Sequence, residues 1–217
     1  MPKSHHLLFF LFLVITMLNS CQQEVNEGTE NFDYIPTSPG SSWRYTSSRD
    51  GRFDLDATTR DTMIDGFKFR IFNRLNYTNG FIVKNYYSKA NKTYRKYGTN
   101  GITRTVGDII LLKDTAIAST WTSPTGSTFV DLHEFKIAAR DIQYTVNNVQ
   151  FNNVIQLDYK WRQYDPNINM VVDKGLGKYY YARGVGLIES TAQGPFGPGM
   201  PPPMVYDTIR LYYYNVK

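Results

Sequence analysis

The chain has 217 residues, with 24 Lys+Arg against 19 Asp+Glu and a formal net charge of +5. Hydrophobic residues make up 41%, aromatics 15% and charged residues 20%, too much apolar surface for a disordered polyelectrolyte. One long apolar run, near the N-terminus, excludes a polytopic helical membrane protein, and a single cysteine excludes an intrachain disulfide.

Residues 1–20 read as a signal peptide. Lys3 is the only charged side chain there, and the run Leu7 to Leu18 that follows is twelve residues long. That suits a signal-peptide core and falls short of the roughly 20 residues a spanning helix needs. Leu18-Asn19-Ser20-Cys21 then resembles the bacterial lipobox, with an aliphatic residue three before the cysteine and a small residue just before it. The resemblance implies that Cys21 carries diacylglycerol and becomes the first mature residue, with its amine usually acylated too. Two or three acyl chains hold a protein stably to a membrane, where one does so only marginally. The expectation is a chain tethered to the outer membrane, on its periplasmic face or at the cell surface, without spanning it. The other reading is a secretory signal followed by a mature segment with a free thiol, a liability in an oxidising envelope. Loss of residues 1–20 removes Lys3 and no acid, leaving a mild net charge of +4.

Residues 21–33, CQQEVNEGTENFD, hold four acids and no base, with little to bury. They read as a flexible tether that reaches about 40 Å when extended. The Gln-Gln-Glu start is similar to the acidic export tags of Bacteroidetes surface lipoproteins. Equally, it reads as a linker without addressing content.

Residues 34–217 read as one antiparallel β domain. Trp43 and Tyr45, then Phe53 and Leu55, alternate with polar neighbours. Thr62-Met63-Ile64 and Phe67-Lys68-Phe69-Arg70-Ile71 flank Asp65-Gly66, a strong hairpin signal because both turn positions need positive φ. Further strands are expected at 80–88, 92–97, 102–106, 109–113, 129–137 and 141–146. Asn147-Asn148 turns the last of these into the clearest strand, 151–162, with Phe151, Ile155, Leu157, Tyr159 and Trp161 on one face. Segments 170–173, 178–182, 185–192 and 205–216 complete the set. Aromatic and β-branched residues are frequent throughout, as a pleated surface favours. Lys113 to Thr120 is expected to form a helical turn and nothing longer. The fold class is therefore all-β: a curved antiparallel sheet of about ten or more strands closing into a barrel, half-barrel or sandwich. Gly194 to Met204 holds half of the ten prolines, so it cannot be central strand. It reads as a stiff connection or edge cover, or as a recognition loop anchored by Phe196, Met200 and Met204.

Several pieces together resemble small Bacteroidetes lipoproteins of unknown function. They are Tyr34-Ile35-Pro36 followed by Gly40-Ser41-Ser42-Trp43-Arg44-Tyr45, then Ile64 to Phe69, Phe151 to Ile155, and Tyr180 to Ile188. The resemblance implies a curved antiparallel sheet on an envelope lipoprotein and assigns no activity. The paired Gly184 and Gly186 independently suggest a bulge or tight bend.

Chemistry-bearing motifs are sparse. Beyond the tether His133 is the single histidine, and neither HExxH nor CxxC spacing occurs, so no His/Cys zinc site or other cofactor is expected. His133 shares strand parity with Phe135 and Ile137 and reads as an inward, hydrogen-bonded core residue. No Gly-x-Ser-x-Gly elbow seats a nucleophile. Asp54, Asp56, Asp131, Glu134 and Asp158 read mostly as solvent-facing, though paired carboxylates for glycan hydrolysis are a matter of space, not spacing. Tyr86, Tyr87, Lys89, Lys92, Tyr94, Arg95, Lys96 and Tyr97 interleave bases with aromatics. With an envelope address they read as a solvated hairpin face, and no nucleic-acid partner is expected.

Seventeen tyrosines and three tryptophans remain. Tyr179-Tyr180-Tyr181 and Tyr212-Tyr213-Tyr214 should split between sheet faces. Tyrosine is a good strand residue, so the abundance alone is consistent with structure. The functional expectation is a non-catalytic binding or structural module, taking a small apolar ligand, a glycan or a protein partner. Trp43, Tyr159 and Trp161 are the candidate ligand-binding residues. The alternative is a surface glycan hydrolase working through two carboxylates.

Overall fold

In the computed structural model, residues 33–99, 106–125, 131–165, 168–193 and 205–217 are described, all within one compact unit. The signal peptide, Cys21, the tether up to residue 32, the 194–204 proline segment and most of the expected 102–106 strand lie outside the described residues.

Twelve strands follow one another. They are β1 (Ser42–Ser47), β2 (Gly51–Ile64), β3 (Phe67–Asn76), β4 (Ile82–Ala90), β5 (Thr93–Thr99) and β6 (Val106–Lys113). Then come β7 (Thr120–Thr125), β8 (Asp131–Val146), β9 (Val149–Asp165), β10 (Met170–Ala182), β11 (Gly186–Gln193) and β12 (Val205–Asn215). The Asp65-Gly66 and Asn147-Asn148 turns have φ of 50° and 80°, and of 49° and 65°, as hairpin turns of this kind require. Asn91-Lys92 makes a third such turn, at 47° and 61°.

The expected strands that fall on described residues are present, with some corrections. Segments 129–137 and 141–146 are one strand, β8, and segments 170–173 and 178–182 are one strand, β10. Bulges interrupt the alternation in both: register shifts between Ile137 and Ile142 in β8 and between Asp173 and Gly175 in β10. The short strand β7 carries Thr, Ser and Pro and gave no sequence signal. No helical turn forms between Lys113 and Thr120; residues 114–119 are a non-helical connection.

The sheet runs in the order β6-β5-β4-β3-β2-β1-β12-β11-β10-β9-β8-β7, each neighbour antiparallel. It curls into a nearly closed barrel. The two ends of the meander meet in a full ladder, Ser42 opposite Asn215 through Ser47 opposite Ile209. The seam instead falls between the consecutive strands β6 and β7, where side chains replace the ladder. Ile110 N–H donates to Ser123 Oγ at 3.1 Å, Ser123 Oγ donates to the Asp108 carbonyl at 3.2 Å, and Trp121 Nε1 donates to the Ile110 carbonyl at 2.9 Å.

Because the sheet is a meander, alternate turns gather at one end. At that end, residues 33–36 enter the barrel as a plug. Tyr34 is fully buried. Its N–H donates to Tyr94 Oη at 3.3 Å, and its own hydroxyl accepts from Arg183 Nη2 at 3.1 Å. Gly184 N–H donates to the Asp33 carbonyl at 2.8 Å. Gly186, at φ 110°, is where a side chain would meet Pro36 and Trp43, which accounts for one of the two paired glycines.

A bent arm forms the second feature. Asp141 and Asn153, both near φ 52°, break the β8–β9 hairpin below the barrel wall. Its tip folds back over the sheet face opposite Tyr179 and Tyr181. Tyr144 stacks on Tyr180 with centroids 3.9 Å apart and donates its hydroxyl to Glu189 Oε1 at 2.8 Å. Asn147 Nδ2 reaches the Leu211 carbonyl at 2.9 Å. The break also moves Phe151 out of the row formed by Ile155, Leu157, Tyr159 and Trp161: it packs with Val146, Val154 and Ile188.

Candidate functional site

The inward face of the barrel is not uniformly filled. Along β7, β8 and β9 large side chains pack on one another: Trp121 on Phe135 at 5.5 Å, Phe135 on Tyr159 at 5.0 Å, with Ile137, Ile155 and Leu157 fully buried. Gly175 and Gly177 on β10 make room for the rings. A Cβ at Gly177 would lie 2.4 Å from the Thr191 carbonyl oxygen and 3.3 Å from the Tyr159 ring. His133 belongs to this packed side. It is buried, and its Nδ1 lies 2.8 Å from Tyr159 Oη, as its strand parity suggested.

Along β1 to β5 and β10 to β12 the interior opens into a cavity of about 360 Å³. That falls in the range of roughly 300–1,000 Å³ for small-molecule sites. At the plugged end it is bounded by Ile35, Pro36, Trp43 and Gly186. Its walls are aromatic: Trp43 lies 5.8 Å from Phe72, Phe72 meets Tyr87 edge-on at 4.8 Å, and Tyr45 stacks on Phe53 at 5.1 Å. The polar tips of two wall residues are already used. Trp43 Nε1 donates to the Val185 carbonyl at 2.5 Å and Tyr45 Oη to the Leu187 carbonyl at 2.9 Å, so both rings offer apolar faces. Tyr179 and Tyr181 line it as well, while Tyr180 points to the opposite face, as alternation requires. Tyr212 and Tyr213 do not alternate. A bulge opposite Arg44 and Tyr45 leaves both outside, where Arg52 and Arg44 each cover a ring at 5.2 Å.

The charged residues that line the cavity are Arg49, Asp50, Arg74, Lys96 and Asp207. Arg74 holds Asp50 Oδ2 at 3.3 Å and lies 4.0 Å above the Phe53 ring, and its buried Nε has no hydrogen-bond partner. Asp207 Oδ1 accepts from Ser47 Oγ at 2.8 Å, from Ser48 Oγ at 3.2 Å and from the Arg49 N–H at 3.3 Å. Lys96 on β5, opposite Tyr87 on β4, opens on the same space. Burial first, and then the like charge of Arg74, pull its amine down to about 8. Burial pushes the Tyr87 and Tyr179 hydroxyls up to about 12, and those of Tyr45 and Tyr181 well above their ordinary 10. These tyrosines stay neutral across the physiological range.

Of the sequence candidates, Trp43 lines this cavity; Tyr159 and Trp161 belong to the packed side instead. The stretch from Tyr86 to Tyr97 is a solvated face only in part: Lys89 and Lys92 are exposed, whereas its tyrosines, Arg95 and Lys96 are not. Tyr94 is 2% exposed, Tyr87 and Lys96 line the cavity, and Arg95 pairs with Asp108 while lying over the Phe67 ring. Strand parity was the available signal, since Lys96 shares a face with buried Tyr94. The acids fare differently. Asp54 is buried, bonded to Tyr77 Oη at 2.9 Å and 3.5 Å from Arg44, and it helps burial raise the pKa of neighbouring Asp56. Glu134 pairs with Arg162, and Gln156 donates to Asp158 at 3.4 Å. None of these four acids lines the cavity.

The chain matches no protein-family description, no curated protein and no solved structure.

Proposed function

We propose that this is a lipid-anchored envelope protein whose β domain binds a small, largely apolar ligand in the hollow side of its barrel. The observation that carries this reading is the aromatic-walled cavity, bounded at one end by the chain's own Ile35-Pro36 segment. A barrel stabilised by packing alone has no reason to leave about 360 Å³ unfilled, since buried voids cost about 24 cal/mol per Å³. The polarity of the wall supports a tethered domain over a membrane-spanning one. Trp43, Tyr45, Phe53, Phe72, Phe135 and Tyr159 are buried in the interior, while Arg44, Arg52, Lys136, Lys160 and Lys178 are exposed. Transmembrane barrels carry the reverse pattern, apolar outside and polar within. Attachment then rests on Cys21, through its likeness to the lipobox.

Native mass spectrometry of the full chain, released from its own host's envelope, tests the binding function. The expected spectrum shows a retained small molecule, lost from a Phe72→Trp variant that fills the cavity. Only ligand-free protein, with no binding on addition of envelope lipid extract, would end this reading. The anchor is tested separately by labelled palmitate, expected on the native chain and absent from Cys21→Ser.

A further inference from the structure

The cavity is apolar along its walls but not neutral. Its lining holds three cations, Arg49, Arg74 and Lys96, against two carboxylates, Asp50 and Asp207. The two carboxylates are occupied. Asp50 lies 3.8 Å from Arg49 Nε and 3.3 Å from Arg74 Nη2, and Asp207 is held by Ser47, Ser48 and the Arg49 N–H. Lys96 has no carboxylate within salt-bridge distance among the described residues, and its strand neighbours across the ladder are Tyr87 and Ile109. An ammonium group kept in an aromatic cavity without a counter-ion is costly, because it has lost water and gained nothing in return. Arg74 adds a second unfilled donor, its buried Nε.

We infer that the ligand is a single-chain amphiphile with one carboxylate, its chain against Trp43, Phe72 and Tyr45 and its head on Lys96. This rests on the binding reading above and names the ligand's chemistry. A carboxylate supplies the one negative charge that the lining lacks. It also accepts hydrogen bonds from the ammonium and from the neutral Tyr87 hydroxyl, whose ring lies on the adjacent strand. A bound carboxylate would draw the Lys96 proton back, against the burial that pulls its amine down.

The test is equilibrium dialysis of the full chain in lipid nanodiscs, with empty nanodiscs as reference, against radiolabelled decanoate and, separately, decanol. Decanoate should bind at least about tenfold more tightly than decanol. Lys96→Met should remove that preference and leave decanol within about twofold, while Lys96→Arg, which keeps the charge, should preserve it. An unchanged or raised melting temperature in Lys96→Met establishes that the variant is folded. Equal binding of decanoate and decanol, or a decanoate preference that survives Lys96→Met, overturns the carboxylate inference and leaves the cavity reading standing. Failure of both compounds to bind overturns the cavity reading itself.

Discussion

The two sides of the barrel interior are built from the same residue types to different ends. On the β7–β9 side, Trp121, Phe135, Ile137, Leu157 and Tyr159 interlock, and His133 finds a hydroxyl partner. On the β1–β5 side, Trp43, Tyr45, Phe53 and Phe72 pack against one another along the wall and stop short of the centre, leaving about 360 Å³. The difference lies in what stands opposite. Gly175 and Gly177 let β10 accept the Tyr159 and Trp161 rings, whereas Lys96 and Arg74 project charge into the space that would otherwise collapse. Aromatic content alone therefore does not distinguish a core from a binding site. What separates the two sides is the charge that Lys96 and Arg74 bring to the cavity lining.

The contrast predicts unequal costs for one substitution. Leu157→Ala, in the packed half, should cost about 4 kcal/mol through lost transfer energy and a new cavity. Leu55→Ala, on the wall of the existing cavity, should cost about 1 kcal/mol, because one side of that residue already lacks neighbours. Denaturant unfolding of the two variants measures both. Equal losses would mean that the two halves are not mechanically different.

Gly177→Ala probes the same boundary from the backbone. Its added Cβ would meet the Thr191 carbonyl oxygen, which belongs to the adjacent strand and cannot swing away. A loss of about 3 kcal/mol is expected, at the upper end for overpacking. A melting temperature within a degree or so of the native protein would show that β10 and β11 separate freely.

These two halves were unevenly legible from the amino-acid sequence. Asp65-Gly66 and Asn147-Asn148 announced their turns because both residues of each pair take positive φ. The row Ile155, Leu157, Tyr159 and Trp161 announced an inward face by strict alternation. Bulges erased the signal elsewhere: β8 and β10 each looked like two strands, and Tyr212-Tyr213 broke the rule that neighbours oppose. A curled sheet was legible, but the choice of barrel over half-barrel or sandwich was not, because it depends on β1 meeting β12 across almost the whole chain. Lys96 was passed over for a related reason. A lysine between tyrosines looks solvated until pairing shows that Tyr87 and Lys96 share the inward face.

The seam between β6 and β7 gives a smaller, local prediction. Ser123→Ala removes an acceptor for the Ile110 N–H and a donor to the Asp108 carbonyl. A cost of about 1–2 kcal/mol is expected, as for buried groups left without partners. Amide exchange at Ile110 should accelerate more than exchange in the β1–β12 ladder, whose paired backbone bonds do not involve Ser123. Uniform acceleration would mean that the barrel opens as a whole and has no preferred seam.

The last effect has the opposite sign and isolates the hollow half. Burial pulls the Lys96 amine from its ordinary 10.5 down to about 8. From about pH 8 to pH 10 the unfolded chain therefore keeps a proton that the native barrel has released, and stability rises with pH wherever the unfolded state binds more protons. Above pH 10 the sign reverses. Tyr45, Tyr87 and Tyr181, raised by burial, hold protons that the unfolded chain gives up, and the barrel weakens. Unfolding midpoints of the native chain should climb between pH 7.5 and 9.5, and Lys96→Met should flatten that climb while raising the midpoint at pH 7. The strand neighbours do not confound the comparison, because Tyr87, opposite Lys96 on β4, holds its proton up to about 12 and Ile109, opposite it on β6, does not titrate. A climb that persists unchanged in Lys96→Met would place the titrating group elsewhere, and the hollow half would lose the charge that sets it apart from the packed one.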